Sequence, residues 1–90
     1  MSNVRERYNP VPMGANGVYQ IKGNAIAGFL AKVSGTITVT GKDASGVSDV
    51  TFVDAVPVTA GLFTRIPLEF PSGAGGTVTL ATNAEGTLFI

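Results

Sequence analysis

The sequence contains no cysteine, no histidine and no tryptophan. Without cysteine the chain cannot form a disulfide, and without cysteine or histidine it lacks the usual ligands of zinc. Without cysteine and histidine the chain also cannot build the Ser-His or Cys-His combinations of nucleophile and general base that the common hydrolases use. The few carboxylates lie in separate segments, at Glu6, Asp43, Asp49, Asp54, Glu69 and Glu85. We therefore predict a protein that is not an enzyme and that holds no metal or cofactor.

Charge is also scarce. Charged residues make up 13% of the chain, against roughly 25% in an average soluble domain. The formal net charge is zero and the mean hydropathy is +0.33, so little keeps separate copies apart. This composition favours a surface that other protein chains cover; the alternative is a free protein that associates readily.

Nucleic acid and membrane are not expected as partners. The six Lys and Arg residues are dispersed along the chain and balanced by six Asp and Glu residues, so no phosphate-binding stripe is formed. The apolar stretches are too short to span a bilayer, and the N-terminal residues lack the layout of a secretory signal. We expect synthesis in a cytoplasm.

The 90 residues correspond to one domain preceded by a different N-terminal segment. Pro10 and Pro12 favour extended backbone in residues 1–16. Because proline has no N–H group, neither residue can donate a backbone hydrogen bond to a neighbouring strand. We predict an extended arm over residues 1–16, outside the sheet, with a disordered tail as the alternative. Its apolar side chains favour an arm that packs on a neighbouring subunit.

Residues 17–90 are predicted to form one β domain. Residues 36–40 alternate threonine with Ile37 and Val39, which is typical of a half-buried strand. Residues 25–33 could form a short helix, but Gly28 and the strand that follows favour a strand. About seven short strands predict a small β-sandwich or barrel. The other predicted strands are residues 17–22, 49–58, 62–70, 77–82 and 87–90. In residues 62–70 the period of two predicts a core side and an outward side. The core side holds Leu62, Thr64, Ile66, Leu68 and Phe70, and the outward side holds Phe63, Arg65, Pro67 and Glu69.

Three features resemble ligand sites, but each fits a structural role better. Asp43 and Asp49 share a loop, yet their spacing matches no known calcium loop. Residues 73–76 are glycine-rich but are not followed by the Lys-Ser/Thr of a phosphate-binding loop. Tyr8 or Tyr19 could carry a sugar platform, although most of the aromatic residues occupy core positions. We therefore assign no ligand to these residues.

The chain ends on the apolar residues 88–90 (Leu-Phe-Ile). We expect this last strand to be buried in its own sheet. The alternative is an exposed edge that pairs with a neighbouring chain.

The layout of the chain resembles that of small virion proteins of tailed bacteriophages. The resemblance rests on the arm with spaced prolines, on residues 35–40 (Gly-Thr-Ile-Thr-Val-Thr) and 76–81 (Gly-Thr-Val-Thr-Leu-Ala), and on the abrupt end at residues 86–90. The chain is most similar to head decoration (cement) proteins, and less so to head-fibre or tail-tube proteins.

Such a resemblance implies a homo-oligomer, often a trimer, that binds a major capsid protein in the virion and stabilises the assembled head. The arm would supply the partner-binding residues, which are Arg5, Arg7, Tyr8, Val11 and Met13. The alternative function is a β-sandwich binding module, or a head-fibre or tail protein, that recognises a carbohydrate or receptor on a cell surface.

Overall fold

A computed structural model describes residues 9–22, 25–71 and 75–90 of the chain. These ranges form eight β-strands in two antiparallel sheets of four strands each, which confirms the all-β prediction and makes the fold a sandwich. None of the described residues belongs to a helix of the length and apolarity needed to cross a membrane. The strands are β1 (Pro10–Met13), β2 (Val18–Ile21), β3 (Ala25–Val33), β4 (Gly35–Lys42), β5 (Asp49–Val58), β6 (Phe63–Glu69), β7 (Gly76–Ala81) and β8 (Glu85–Phe89).

The chain changes sheet at nearly every connection. Sheet A has the strand order β1-β8-β3-β6, and sheet B has the order β2-β7-β4-β5. Only β4 and β5 follow each other within one sheet, joined by the loop over residues 43–48. Apart from β4 and β5, neighbouring strands in each sheet therefore come from distant parts of the sequence.

The core lies between the sheets and is built from the aliphatic positions of the alternating strands. Ile37 and Val39 point inward from β4 and are fully buried, as the threonine alternation predicts. Phe29 and Leu88 belong to the same core from sheet A and are also fully buried. No polar or charged residue is buried in the described ranges, so the core is held by packing of apolar side chains.

The expected arm over residues 1–16 is wrong for residues 10–13. These residues form β1, an edge strand that pairs with β8 in the register Pro10↔Phe89 to Met13↔Gly86. The prolines permit this because Asn9 and Ile90 exchange both backbone hydrogen bonds, N to O, at 2.9 and 3.1 Å. The backbone groups of the next residue, Pro10, then face away from β8, where no donor is needed.

Most of the strand predictions agree with the structure. The segments predicted at residues 25–33 and 49–58 are β3 and β5 with those same bounds. The C-terminal strand β8 lies between β1 and β3, so the expectation that it is buried in its own sheet is confirmed. Leu62 is an exception: it was expected on the core side, but it lies in the turn before β6 and is 60% exposed.

Candidate protein-interaction surface

The outer surface of sheet A is lined by two rows of residues that cross all four strands. One row is Pro10–Phe89–Gly28–Arg65, and the other is Pro12–Thr87–Leu30–Phe63. The row between them holds Val11, Leu88, Phe29 and Thr64, with Leu88 and Phe29 buried in the core. We call the residues of the two outer rows the apolar face.

The centre of the apolar face is an aromatic pair that spans three strands. The rings of Phe63 on β6 and Phe89 on β8 lie edge to face, with centroids 5.9 Å apart and planes at 63°. β3 runs between their strands, and Gly28 stands there. Because Gly28 has no side chain, the two rings can meet across it.

Phe63 and Leu30 remain open to solvent on this face, with exposures of 50% and 41%. Beside them lies a hollow of about 520 Å³, lined by Ile26, Ala27, Leu30, Phe63, Arg65, Pro67 and Phe89. Arg65 is the one charged residue in that lining. A contiguous apolar surface with a single cation is typical of a protein-interaction site.

The outer surface of sheet B has a different chemistry. Its rows carry threonine on neighbouring strands, with Thr38 beside Thr79 and Thr40 between Thr77 and Thr51. Hydroxyl groups are satisfied by water, so this surface can remain solvated. Val18 is also exposed in this surface, but it pairs with Thr79, whereas the exposed Leu30 and Phe63 pair with each other on sheet A. The apolar face is therefore the surface better suited to be covered by protein.

The edges of the sheets are poorly suited to pairing with another strand. Every strand proline lies on an edge strand: Pro10 and Pro12 on β1, Pro57 on β5 and Pro67 on β6. The fourth edge strand, β2, has only four residues. Edges without donors, or too short to pair, resist strand-to-strand association.

β5 also contains two β-bulges. The first lies between the residues that pair with Ile37 and Val39, and the second lies between the residues that pair with Val39 and Thr40. Ala55 sits in the first bulge with φ of 47°, and its N–H donates to the hydroxyl of Thr38 at 3.0 Å. Bulges twist an edge away from a flat partner. The sheet faces therefore remain the better surfaces for contact.

The structure places the predicted partner-binding residues differently from the sequence prediction. Arg5, Arg7 and Tyr8 lie outside the described residues. Met13 is 7% exposed and belongs to the core of its own chain, and Val11 packs against that core. Val11 and Met13 were predicted as arm contacts, but the inward side of β1 directs both side chains into the sandwich.

The residues weighed as ligand sites also have structural roles. Tyr19 is half-buried and packs against the core, so at most part of its ring is open to solvent. Asp49 is paired with Lys42, with Oδ1 and Nζ 2.7 Å apart. Among the described residues, no group of three or more acidic side chains is placed to hold a metal ion.

Asp43 closes the loop between β4 and β5. The hydroxyl and the N–H of Ser45 both donate to its Oδ1, the N–H over 3.0 Å. The hydroxyl bond, supported by backbone N–H groups of the loop, holds the pKa of Asp43 below its ordinary value of 3.8. The side chain stabilises an Asx-type turn.

The apolar face was missed by the sequence prediction, although part of its signal was present. The alternation in residues 62–70 placed Phe63, Arg65 and Pro67 on the side away from the core, and all three are exposed. Phe89 and Leu30 carry no such signal. Only the pairing of β8 and β6 on either side of β3 brings them beside Phe63.

Comparison of the chain with protein-family models, with curated proteins and with solved structures gives no match.

Proposed function

We propose that this protein is a non-enzymatic structural subunit of a virion, a decoration protein that binds an assembled phage head and stabilises it. The observation that carries this proposal is the apolar face, where Phe63, Leu30 and Phe89 meet around Gly28. In an isolated subunit the apolar face is exposed to water. Association with another protein buries it, which is favourable because apolar surface is removed from water.

The low charge of the chain supports the same role. With 13% charged residues and no net charge, the surface opposes association only weakly. The proline-bearing edges add a second property that a subunit of a closed shell needs. They direct association to the faces and away from open-ended strand pairing, which leads to fibres.

Stabilisation of a head by such a subunit follows from linkage. A protein that binds the assembled lattice and not the free capsid subunits shifts the equilibrium towards the lattice. Each contact can be weak, because many symmetry-related copies act together on one particle. No catalytic group is needed for this action.

The test is co-sedimentation. The chain, carrying a small C-terminal tag, is produced with the genes that flank its own gene, and the lysate is fractionated on a density gradient. We expect the chain in the fractions of a large particle, together with a major capsid protein. A chain that stays at the top of the gradient while such particles form would overturn the proposal. Recovery only on cell envelopes or polysaccharide would favour a receptor-binding module instead.

A further inference from the structure

We propose that the apolar face binds a second copy of this chain, face to face about a two-fold axis, an inference that rests on the proposed structural role. A two-fold contact requires a surface that is complementary to itself. The two outer rows of sheet A meet this requirement when the copies run antiparallel. The axis then crosses the strands at the level of Phe29 and Thr64, midway between the rows.

In this arrangement each row of one copy faces the other row of its partner. Leu30 lies opposite the row of Gly28, where the rings of Phe63 and Phe89 form an apolar platform. Phe63 lies opposite Arg65. An arginine over an aromatic ring is attractive, so the charged residue of the face is matched by the partner's phenylalanine.

Other alignments fit less well. Copies related by an axis that runs along β6 place Arg65 opposite Arg65, and like charges in contact oppose association. An axis shifted towards Pro67 leaves Phe63 and Leu30 at the rim, where they stay exposed. The antiparallel exchange of the two rows covers the aromatic pair and offsets the two arginines along the strands by the row spacing of two residues, ~6.6 Å.

The size of the face sets the strength of the contact. Four strands ~4.8 Å apart, over about five residues of ~3.3 Å, give a sheet area of roughly 300 Å². Stable interfaces bury ~800 Å² on each partner. We therefore expect a dimer that forms reversibly at high protein concentration and becomes permanent only within a larger assembly.

The first test is sedimentation equilibrium over a wide range of protein concentration. Leu30→Glu places a charge in the centre of the contact and is expected to raise the dimer dissociation constant at least ~10-fold, because an unpaired buried charge costs several kcal/mol. Val18→Glu is the matched control, since Val18 is 63% exposed on β2 in the other sheet. If Leu30→Glu does not fold, Phe63→Ser gives the same readout from an exposed position.

The second test measures distance. The chain has no cysteine, so single spin labels can be attached to Lys32→Cys, beyond Leu30 on β3, or to Val18→Cys. With sheets packed ~10 Å apart, the two-fold contact places the Lys32 positions of the two copies roughly 20–25 Å apart and the Val18 positions about 30 Å apart or more.

A chain that is monomeric at all concentrations overturns the dimer, as does a dimer that Leu30→Glu leaves intact. A shorter distance at Val18 than at Lys32 also overturns it. A monomeric chain that nevertheless sediments with a head particle would show that the capsid covers the face, and the proposed function would stand. A dimer that binds no particle would overturn the proposed function and leave the contact in place.

Discussion

Gly28 and Phe63 are packed so that no other residue fits at position 28. A Cβ at this position would overlap the Phe63 ring and lie 2.6 Å from the carbonyl oxygen of Thr64. The ring could move, but the oxygen belongs to the neighbouring strand and cannot move without opening the β3–β6 ladder.

Gly28→Ala is therefore expected to destabilise the domain by about 1–3 kcal/mol, the usual cost of overpacking. For a domain of this size each kcal/mol lowers the melting temperature by roughly 4–8 °C. Gly14→Ala is the control, because a Cβ there meets nothing within 4 Å. Equal melting temperatures for the two variants would show that β3 and β6 are less closely packed than described.

At Ala55, where the backbone is strained, a substitution is expected to raise the stability of the domain. A residue with a side chain at φ of 47° costs roughly 1–2 kcal/mol, which glycine avoids. Part of this gain is lost to the greater freedom of glycine in the unfolded chain. We expect Ala55→Gly to raise stability by about 0.5 kcal/mol in urea unfolding.

Ala44→Gly, in the exposed loop after β4 and without a positive φ, is the control for Ala55→Gly. It should lower stability slightly, because it brings the entropy cost without relief of strain. If both glycine variants lose stability to the same extent, the bulge at Ala55 is not strained.

Two truncations separate the N-terminal segment from the strand that follows it. Removal of residues 1–8 keeps every described contact of β1, so this shortened chain is the reference for the longer truncation. Removal of residues 1–13 also deletes β1 and exposes the edge of β8. Loss of buried Met13 alone costs about 1.5–3 kcal/mol. Equal melting curves for the two truncated chains would contradict the pairing of β1 with β8.

The lowered pKa of Asp43 can be measured directly. Its carboxylate is expected to titrate below 3.8 in the folded chain, as followed by NMR. Because the folded-state pKa is depressed, the contribution of this group to stability is present above the ordinary carboxyl pKa. It is lost as the pH falls through the folded value.

Ser45→Ala removes the hydroxyl donor and should move the Asp43 pKa back towards 3.8, whereas Ser48→Ala keeps the backbone bonds of the loop and should not. A shift of equal size in both variants would show that the Ser45 hydroxyl does not set the pKa.

Alternation in the sequence predicted much of the fold. The alternation in residues 36–40 leaves one buried side, and this segment and residues 49–58 are both strands as predicted. The error at Pro10 and Pro12 also has a local cause. Proline excludes a central strand, but two prolines two residues apart can share the outward side of an edge strand, as they do in β1.

The candidate surface could be predicted only in part. The period of two placed Phe63 away from the core, but no local pattern indicates that β3 separates β6 from β8. The meeting of Phe63 and Phe89 over Gly28 depends on that long-range strand order. Within a strand the sequence pattern indicates which side a residue faces, whereas the neighbour that it meets is set by the topology.

The central claim is that protein covers the apolar face when the chain is in its working assembly. Hydroxyl-radical footprinting measures this directly, because oxidation of Phe63 and Leu30 reports their access to water. We expect both residues to be oxidised readily in the dilute chain and to be strongly protected in the particle fraction, while Val47, exposed in the loop after β4, reacts equally in both. Oxidation of Phe63 at the same rate in the free and the assembled chain would contradict the account.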